Sequence, residues 1–408
     1  MIWSISWKNI WRNKLRSLIV VIAITLGLLA GVFSSALMNG IIERRIRAAI
    51  ENEVSHIQIH NKNFMENIEI GYNINNANEI LDKLASFPEV KHVSKRMKIT
   101  AMANTPSQGT GVNLIGVYPE KEKQVSSLYK YINDSSGTYF DAKKKNSIVV
   151  SQKFADKLNL NLRSKVVLTF VGTDGTLTGA AFKVVGIFKT SNSAFDEMNA
   201  FVRFDDLARL TNFDTSSAHE IAILLNDKNQ TNEVAAKIAS AFPQQSTMTW
   251  LELQPDLGMI AEFLNLWLYV FVIIILLALG FGIVNTMLMA VLERVKELGM
   301  LMAVGMNKKR VFSMIMLETI FLTLTGGALG MLVGAVVVYV TGETGIDFSA
   351  YAEGFSAIGY ESIVYPTIGI DYYLGVTSLV IITGVFASIY PARKALKLNP
   401  SEAIRTEM

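Results

Sequence analysis

The 408-residue chain contains no cysteine. Disulfides, thiolate metal sites and cysteine nucleophiles are therefore excluded, and any domain outside a reducing compartment must be held by its core alone. Histidine occurs four times, at His56, His60, His92 and His219. His56 and His60 lie in an alternating SHIQIH run, which reads as a strand. There, positions four apart are separated by about 13 Å, too far to share a metal. The histidines are read as ordinary surface or edge side chains. No Gly-x-Ser-x-Gly elbow, His-Glu-x-x-His helix or calcium loop is present. The adjacent acids Asp196 with Glu197 and Asp205 with Asp206 read as solvated turns, so hydrolysis is disfavoured. The chain also lacks a Gly-x-x-x-x-Gly-Lys-Ser/Thr loop, so it cannot grip a nucleotide in the P-loop manner.

Charge is missing from four long stretches, residues 17–42, 263–292, 319–342 and 372–392. Each can cross a hydrocarbon layer of about 30 Å as a helix. Lipid cannot satisfy backbone N–H and C=O groups, so such crossings are helical or part of a closed barrel. The expected fold is an α-helical membrane protein with four transmembrane helices and an α+β extracytoplasmic domain inserted between spans 1 and 2. The divisions are a cytoplasmic amphipathic N-terminal helix (1–16), span 1 (17–42), the inserted domain (43–262), span 2 (263–292), a cytoplasmic coupling helix (293–310), span 3 (311–342), an extracytoplasmic loop (343–371), span 4 (372–392) and a cytoplasmic tail (393–408). Span 1 is longer than the apolar core of a cleavable signal and lacks a small-x-small site, so it reads as an anchor.

Orientation follows from the short connections. Thirteen basic residues flank the spans on one side, among them Lys8, Arg12, Arg294, Lys308 and Arg393. The connection at 343–371 has none, and carries Glu343, Asp347, Glu353, Glu361 and Asp371. The positive-inside rule puts both termini and the loop after span 2 in the cytoplasm. The net charge of +3 leaves no basic patch for nucleic acid.

Within the inserted domain, β-rich runs at 55–61, 147–151, 165–171, 182–188 and 220–225 alternate with helical patterns at 77–86, 152–158, 205–210 and 232–242. Asn76 or Asn78 and Ser151 are plausible N-caps. Residues 172–179 read as a hairpin turn. Two lobes are expected, one from 52–61 with 143–242 and the other from 77–132.

The loop after span 2, VLERVKELGMLMAVGMNKKR, is the most specific stretch. Val291, Val295, Leu298 and Met302 form one apolar helical face, with Glu293, Arg294, Lys296 and Glu297 on the other sides. Gly305 can stop this helix and Asn307 can cap span 3. The bland reading is a helix lying in headgroups; the sharper one is a knob that docks into a partner. Two acids facing an anionic leaflet argue for the latter. Trp3, Trp7 and Trp11 recur every four residues and read as an interfacial anchor. Pro391 is expected to end span 4, and Asn399 with Pro400 to start a last short helix. Glu318, about two turns into span 3, reads as a functional acid or as an ion-pair partner of Lys308, Lys309 and Arg310; its shallow depth favours the second. Gly27, Gly31, Gly280 and Gly282 suit close helix packing, and equally a surface for acyl chains.

Together, ERVKELGMLMAVGMNKKRV, LETIFLTLTGGALGMLVG, YPARKALKLNPSEAIR and WKNIWRNKLRS resemble the FtsX/MacB superfamily of ABC-transporter permeases. Met38-Asn39-Gly40 with His56-Ile57-Gln58-Ile59, and the ending Ile404-Arg405-Thr406-Glu407, are similar to the lipoprotein-releasing, Lol-type permeases. The segment NLRSK at 161–165 departs from the superfamily by lacking a Val-Gly-Asp turn, and Gly299-Met300 replaces a usual Ala/Ile-Leu pair. The resemblance implies a bacterial inner-membrane permease with no catalytic residue and no cofactor of its own. ATP and Mg would sit on a separate cytoplasmic ABC ATPase dimer. It implies ATPase coupling through Glu293, Arg294, Glu297, Leu298, Met302 and Gly305, pairing with a second permease copy or paralogue, and mechanotransmission along span 2, taken to run from about Thr249 through Leu292. In a Lol-type complex a lipoprotein would enter between spans 1 and 2 and leave on a periplasmic carrier. MacB-like export of peptides or drugs and FtsX-like control of cell-wall hydrolases are the alternatives.

Overall fold

The computed structural model describes residues 2–140 and 144–396. The helix expected from Asn399 and Pro400 lies outside the described residues. Two compact units divide at 41/42, 260/261, 347/348 and 362/363.

Among the described residues, four helices are long and apolar enough to cross a bilayer. They are span 1 (Lys14–Ala49), span 2 (Pro255–Glu293), span 3 (Lys308–Thr344) and span 4 (Ile370–Leu396). A helix at Ile2–Ile10 precedes span 1, and a short loop helix, Val295–Ala303, joins spans 2 and 3. Each span extends beyond its uncharged stretch, because Lys, Arg and Glu at helix ends keep their charges at the interface while the backbone stays paired. Span 2 begins at Pro255 rather than Thr249. Gln254, immediately before proline, leaves the helical region (φ −127°, ψ 68°) and separates Trp250–Leu253 from the span. Pro391 does not end span 4; it is buried inside the helix. Packing within a membrane bundle tolerates the one lost hydrogen bond.

Small residues set the span contacts. A Cβ on Gly326 would lie 2.8 Å from Ile24 Cβ, and one on Gly330 2.9 Å from Leu28 Cβ. Gly27 and Gly31 face Leu279 and Ile275 of span 2, so packing accounts for both. The Tyr372 hydroxyl donates to Ser35 Oγ at 2.6 Å, and Thr25 Oγ1 donates to the Gly326 carbonyl at 3.3 Å. These contacts follow the rule that membrane helices associate through small residues and interhelical hydrogen bonds.

The described residues of the soluble unit form nine strands: β1 (Ile57–His60), β2 (Val90–Asn104), β3 (Gly109–Val117), β4 (Ser147–Ser151), β5 (Lys165–Val171), β6 (Leu177–Phe188), β7 (Asn199–Arg203), β8 (Glu220–Leu225) and β9 (Ser246–Thr249). Their order is β3-β7-β4-β6-β5-β2-β8-β1-β9, and β2 also pairs with β3. That extra pairing closes β2, β3, β7, β4, β6 and β5 into a ring. The ring is mixed, with β3/β7 and β4/β6 parallel and its other pairs antiparallel.

The fold is α+β, but the two expected lobes are not the real division. Strand β2, 15 residues long, serves both halves. Its residues Val90 to Arg96 pair with β8, and Arg96 to Asn104 pair with β3. One core fills the ring, with Met97, Ile99, Val150, Phe154, Leu168, Phe182 and Phe204 buried. A second lies between β1, β8 and the helices Ala77–Leu84 and Thr231–Ala241, and a third gathers Ile115, Val117, Leu128, Val149, Phe188 and Phe201. A long strand can serve two cores because its first segment packs in one and its second in the other, each turning every other side chain inward.

Ser151 caps its helix as expected, accepting from Phe154 N at 3.0 Å. Asn76 does not cap; it holds φ 53° without a side-chain cap. Asn78 instead accepts from Lys95 Nζ at 2.6 Å. The hairpin expected at 172–179 forms between β5 and β6, but its turn is shorter, residues 172–176, because Leu177, Thr178 and Gly179 already pair with β5. His56, His60 and His219 are buried, not surface or edge groups, since β1 is paired on both sides and Phe64 stacks between His60 and His219. Asp196 and Asp206 are also buried rather than solvated: Asp196 accepts from Thr190, and Asp206 from Asn146 N. Burial pushes the Asp196 carboxyl up to about 6. Among the described residues no cluster of three or more His, Cys, Asp or Glu could hold a metal.

Candidate coupling site

The loop helix starts at Arg294, where the backbone turns out of span 2 (φ −102°, ψ 18°). It ends in a Schellman arrangement. Met306 N donates to the Leu301 carbonyl at 2.9 Å, Gly305 N donates to Met302 O at 3.1 Å, and Gly305 takes φ +103°. Asn307 then caps span 3, its Oδ1 accepting from Lys309 N at 3.0 Å. Gly305 and Asn307 therefore act as their spacing predicts.

The apolar face does not act as expected. Leu298 is buried in a cluster with Val291, Val311, Met314, Ile315, Ala392 and Ala395, and Met302 packs against the same cluster. These residues belong to spans 2, 3 and 4 of the same chain. Leu298 and Met302 are thus anchors, not an outward knob: residues four apart share a helix face, and the nearest apolar surface is the chain's own bundle. The outward face carries Lys296, Met300, Ala303 and Val304. Val304 is 91% exposed. Periodicity reveals the apolar face but not what covers it, so it does not single out Met300 and Val304.

The charged residues converge on the N-terminal segment. Glu293 pairs with Arg16. Glu297 accepts from Arg12 Nη1 at 3.1 Å and from Arg294 Nε at 3.1 Å. Arg294 Nη1 lies 3.3 Å from both carboxylate oxygens of Glu318, which also accepts from Asn9 Nδ2 at 2.7 Å. The partner of Glu318 is therefore Arg294, not Lys308, Lys309 or Arg310, which are exposed. A cavity of about 310 Å³ lies among these groups. Trp3 and Trp7 are exposed along one side yet meet Phe321 edge-on, with ring centroids 5.8 Å and 5.7 Å away. Arg12, Arg16 and Asn9 could have been found from sequence only as basic and polar residues near an interface, since their partners lie far along the chain.

The chain shares features with known proteins. Residues 17–241, more than half of its length, match the MacB-like periplasmic core domain, and residues 269–400 match the FtsX-like permease C-terminal domain. An uncharacterized ABC transporter permease of Methanocaldococcus jannaschii is 26% identical over 233 residues, covering 55% of each chain. A pyoverdine export ATP-binding/permease protein of Pseudomonas entomophila is 28% identical over 236 residues, covering 55% of this chain and 33% of the relative. The chain thus spans about half, or less, of the length of these relatives. The crystal structure of the periplasmic region of MacB from Actinobacillus actinomycetemcomitans superposes on 50% of the chain and 92% of its own length, with a TM-score of 0.35 and 12% identity. On the match to more than half of its residues, this multi-pass membrane protein belongs to the family of FtsX-like permeases with a MacB-like periplasmic core domain.

Proposed function

We propose that the chain is the permease subunit of an ABC transporter, worked by an ATPase on a separate polypeptide that docks on the loop helix. The observation that carries this is the pairing of a firmly anchored inner face (Leu298) with an exposed apolar tip (Met300, Val304). An apolar tip on a rigid mount is what a partner groove requires, because docking then costs little ordering entropy. The basic residues at this end support a cytoplasmic location for the termini and the loop helix, and an extracytoplasmic one for the soluble domain, in a bacterial inner membrane. A second copy or paralogue would complete the transporter, and movement would pass along span 2 by mechanotransmission.

For cargo, lipoprotein release to a periplasmic carrier remains the reading supported by the short Lol-type segments around Met38-Asn39-Gly40 and His56-Ile57-Gln58-Ile59. A second reading, MacB-like export of peptides or drugs, is supported by the name of the pyoverdine export relative.

The test is co-purification of the complex in mild detergent from cells that make the chain. Val304→Arg should lower recovery of an ABC ATPase at least tenfold while the permease yield holds. Unchanged recovery overturns the docking assignment. Mass spectrometry of the wild-type complex separates the cargoes: acylated N-termini support lipoprotein release, and their absence beside a bound peptide or drug-like molecule supports the second reading.

A further inference from the structure

We propose that the N-terminal segment is a working part of the coupling site, with Asn9, Arg12, Arg16 and Glu318 acting as positioning residues for the loop helix. The proposal deepens the coupling role proposed above and rests on it for its consequence, though not for its geometry.

The loop helix is nine residues long and grips the bundle through one apolar face. Apolar packing is non-directional, so it fixes how deep the helix sits better than how it is rotated. Rotation decides where Val304 points. Directional contacts are supplied instead by an alternating chain of charges: Arg16 with Glu293, and Arg12 with Glu297, which meets Arg294, which meets Glu318. Asn9 closes this chain on Glu318.

Four elements are joined in this way: the N-terminal helix, the start of span 1, the turn from span 2 into the loop helix, and span 3. Glu318 has only 8% of its side chain exposed and is the inner fixed point. Arg12, at 60%, is the outer, exchangeable end. The cavity between them leaves room for water at the outer pairs. The Trp3 and Trp7 contacts on Phe321 hold the N-terminal helix against span 3, within one turn of Glu318. A push on the loop helix is therefore shared with the N-terminal helix and span 3 through Arg294. A helix that only anchored the chain in headgroups would need the tryptophans but none of these pairs.

The lack of native cysteine makes the test direct. Val304→Cys and Leu332→Cys, both at exposed sites, carry nitroxide labels, and the full chain is studied by double electron–electron resonance in lipid nanodiscs. The otherwise unchanged chain should give a narrow distance distribution. Glu318→Gln should at least double its width. Arg16→Glu should do the same, and adding Glu293→Arg should restore the narrow distribution. That rescue is something a general loss of folding would not produce. The Arg16 and Glu293 variants sit at the water-exposed end, so they carry the test if Glu318→Gln fails to fold. Spectra that ignore every substitution overturn the proposal. ATPase recovery with Val304→Arg separately decides the coupling reading, so the two can fail independently.

Discussion

Arg96 grips Glu122 with two nitrogens inside the soluble domain, Nη2 at 2.6 Å and Nε at 3.1 Å from Oε1, while its Nη1 holds Glu220 Oε1 at 2.6 Å. Arg96 sits where β2 leaves β8 for β3, so this pairing lies at the seam of the two cores that β2 serves. Burial alone would raise the Glu220 carboxyl, but Lys98 and Arg96 outweigh it and hold the group down to about 2. Removing one partner of a buried pair leaves a stranded charge and costs about 3–5 kcal/mol. Arg96→Met should therefore lower the stability of the purified chain by that amount. Adding Glu122→Met and Glu220→Met should recover most of the loss, as thermal unfolding in detergent will read. A triple variant no better than Arg96→Met would contradict this.

The buried histidines predict an acid-sensitive domain. Burial holds His60 and His219 down to about 4. In the unfolded chain they titrate near the ordinary value of about 6.5. As pH falls from about 6.5 towards 4, the unfolded chain takes up protons that the folded chain refuses. Stability is fully present above this window and is lost within it, by up to about 1.4 kcal/mol per pH unit for each histidine. His56, also held down to about 4, adds to this loss, and Asp196, held up to about 6, offsets part of it because the folded chain takes up that proton first. Glu220 adds a separate loss at lower pH, as protonation approaches its folded value. Unfolding midpoints between pH 7 and 4 should slope downward, and His60→Gln should flatten that slope. A level profile across this range would rule the account out.

The spans were legible because lipid leaves so few solutions for an uncharged run. Strands β4, β5 and β8 were legible because aliphatic, β-branched runs with clear turns on either side have few other readings. Strand β2 was not. Lys95, Arg96 and Lys98 look like surface, and the acids that make Arg96 tolerable inside lie 26 and 124 residues away. Its signal was the alternation of Met97, Ile99, Ala101 and Ala103. The coupling site shows the same limit. Arg294 and Glu318 are 24 residues apart, and Asn9 and Glu318 are 309 apart. No local pattern couples them.

Glycine packing gives a graded prediction. Cβ atoms on Gly326 and Gly330 would meet Ile24 and Leu28 at 2.8 Å and 2.9 Å, where the neighbouring atoms are Cβ and cannot swing aside. Among the described residues nothing lies within 4 Å of a Cβ on Gly282. Gly326→Ala and Gly330→Ala should each cost about 1–3 kcal/mol through overpacking, and Gly282→Ala should cost nothing measurable. Thermal stability of the three variants in one detergent decides the matter. Equal values would mean that spans 1 and 3 are not packed as described.

Where span 1 gives way to the domain, a π-helical turn at Ile50–Val54 ends in Ser55 at φ 59°, ψ −173°. That region is essentially open to glycine alone, and another residue held there stores about 1–3 kcal/mol. The position is pinned from both sides: Ser55 N donates to Ile50 O at 2.8 Å, and the next amide, His56 N, donates to Ile223 O at 3.1 Å. The Ser55 hydroxyl is buried without a partner among the described residues, a second cost at the same residue. Glycine would remove both, at an expense of about 0.5–1 kcal/mol in unfolded-chain freedom. Ser55→Gly should therefore stabilise the chain by about 1 kcal/mol. Ser55→Ala removes the hydroxyl but keeps the strained Cβ, so it should fall below glycine in thermal unfolding. If alanine proves the more stable of the two, the strain at this junction is not real.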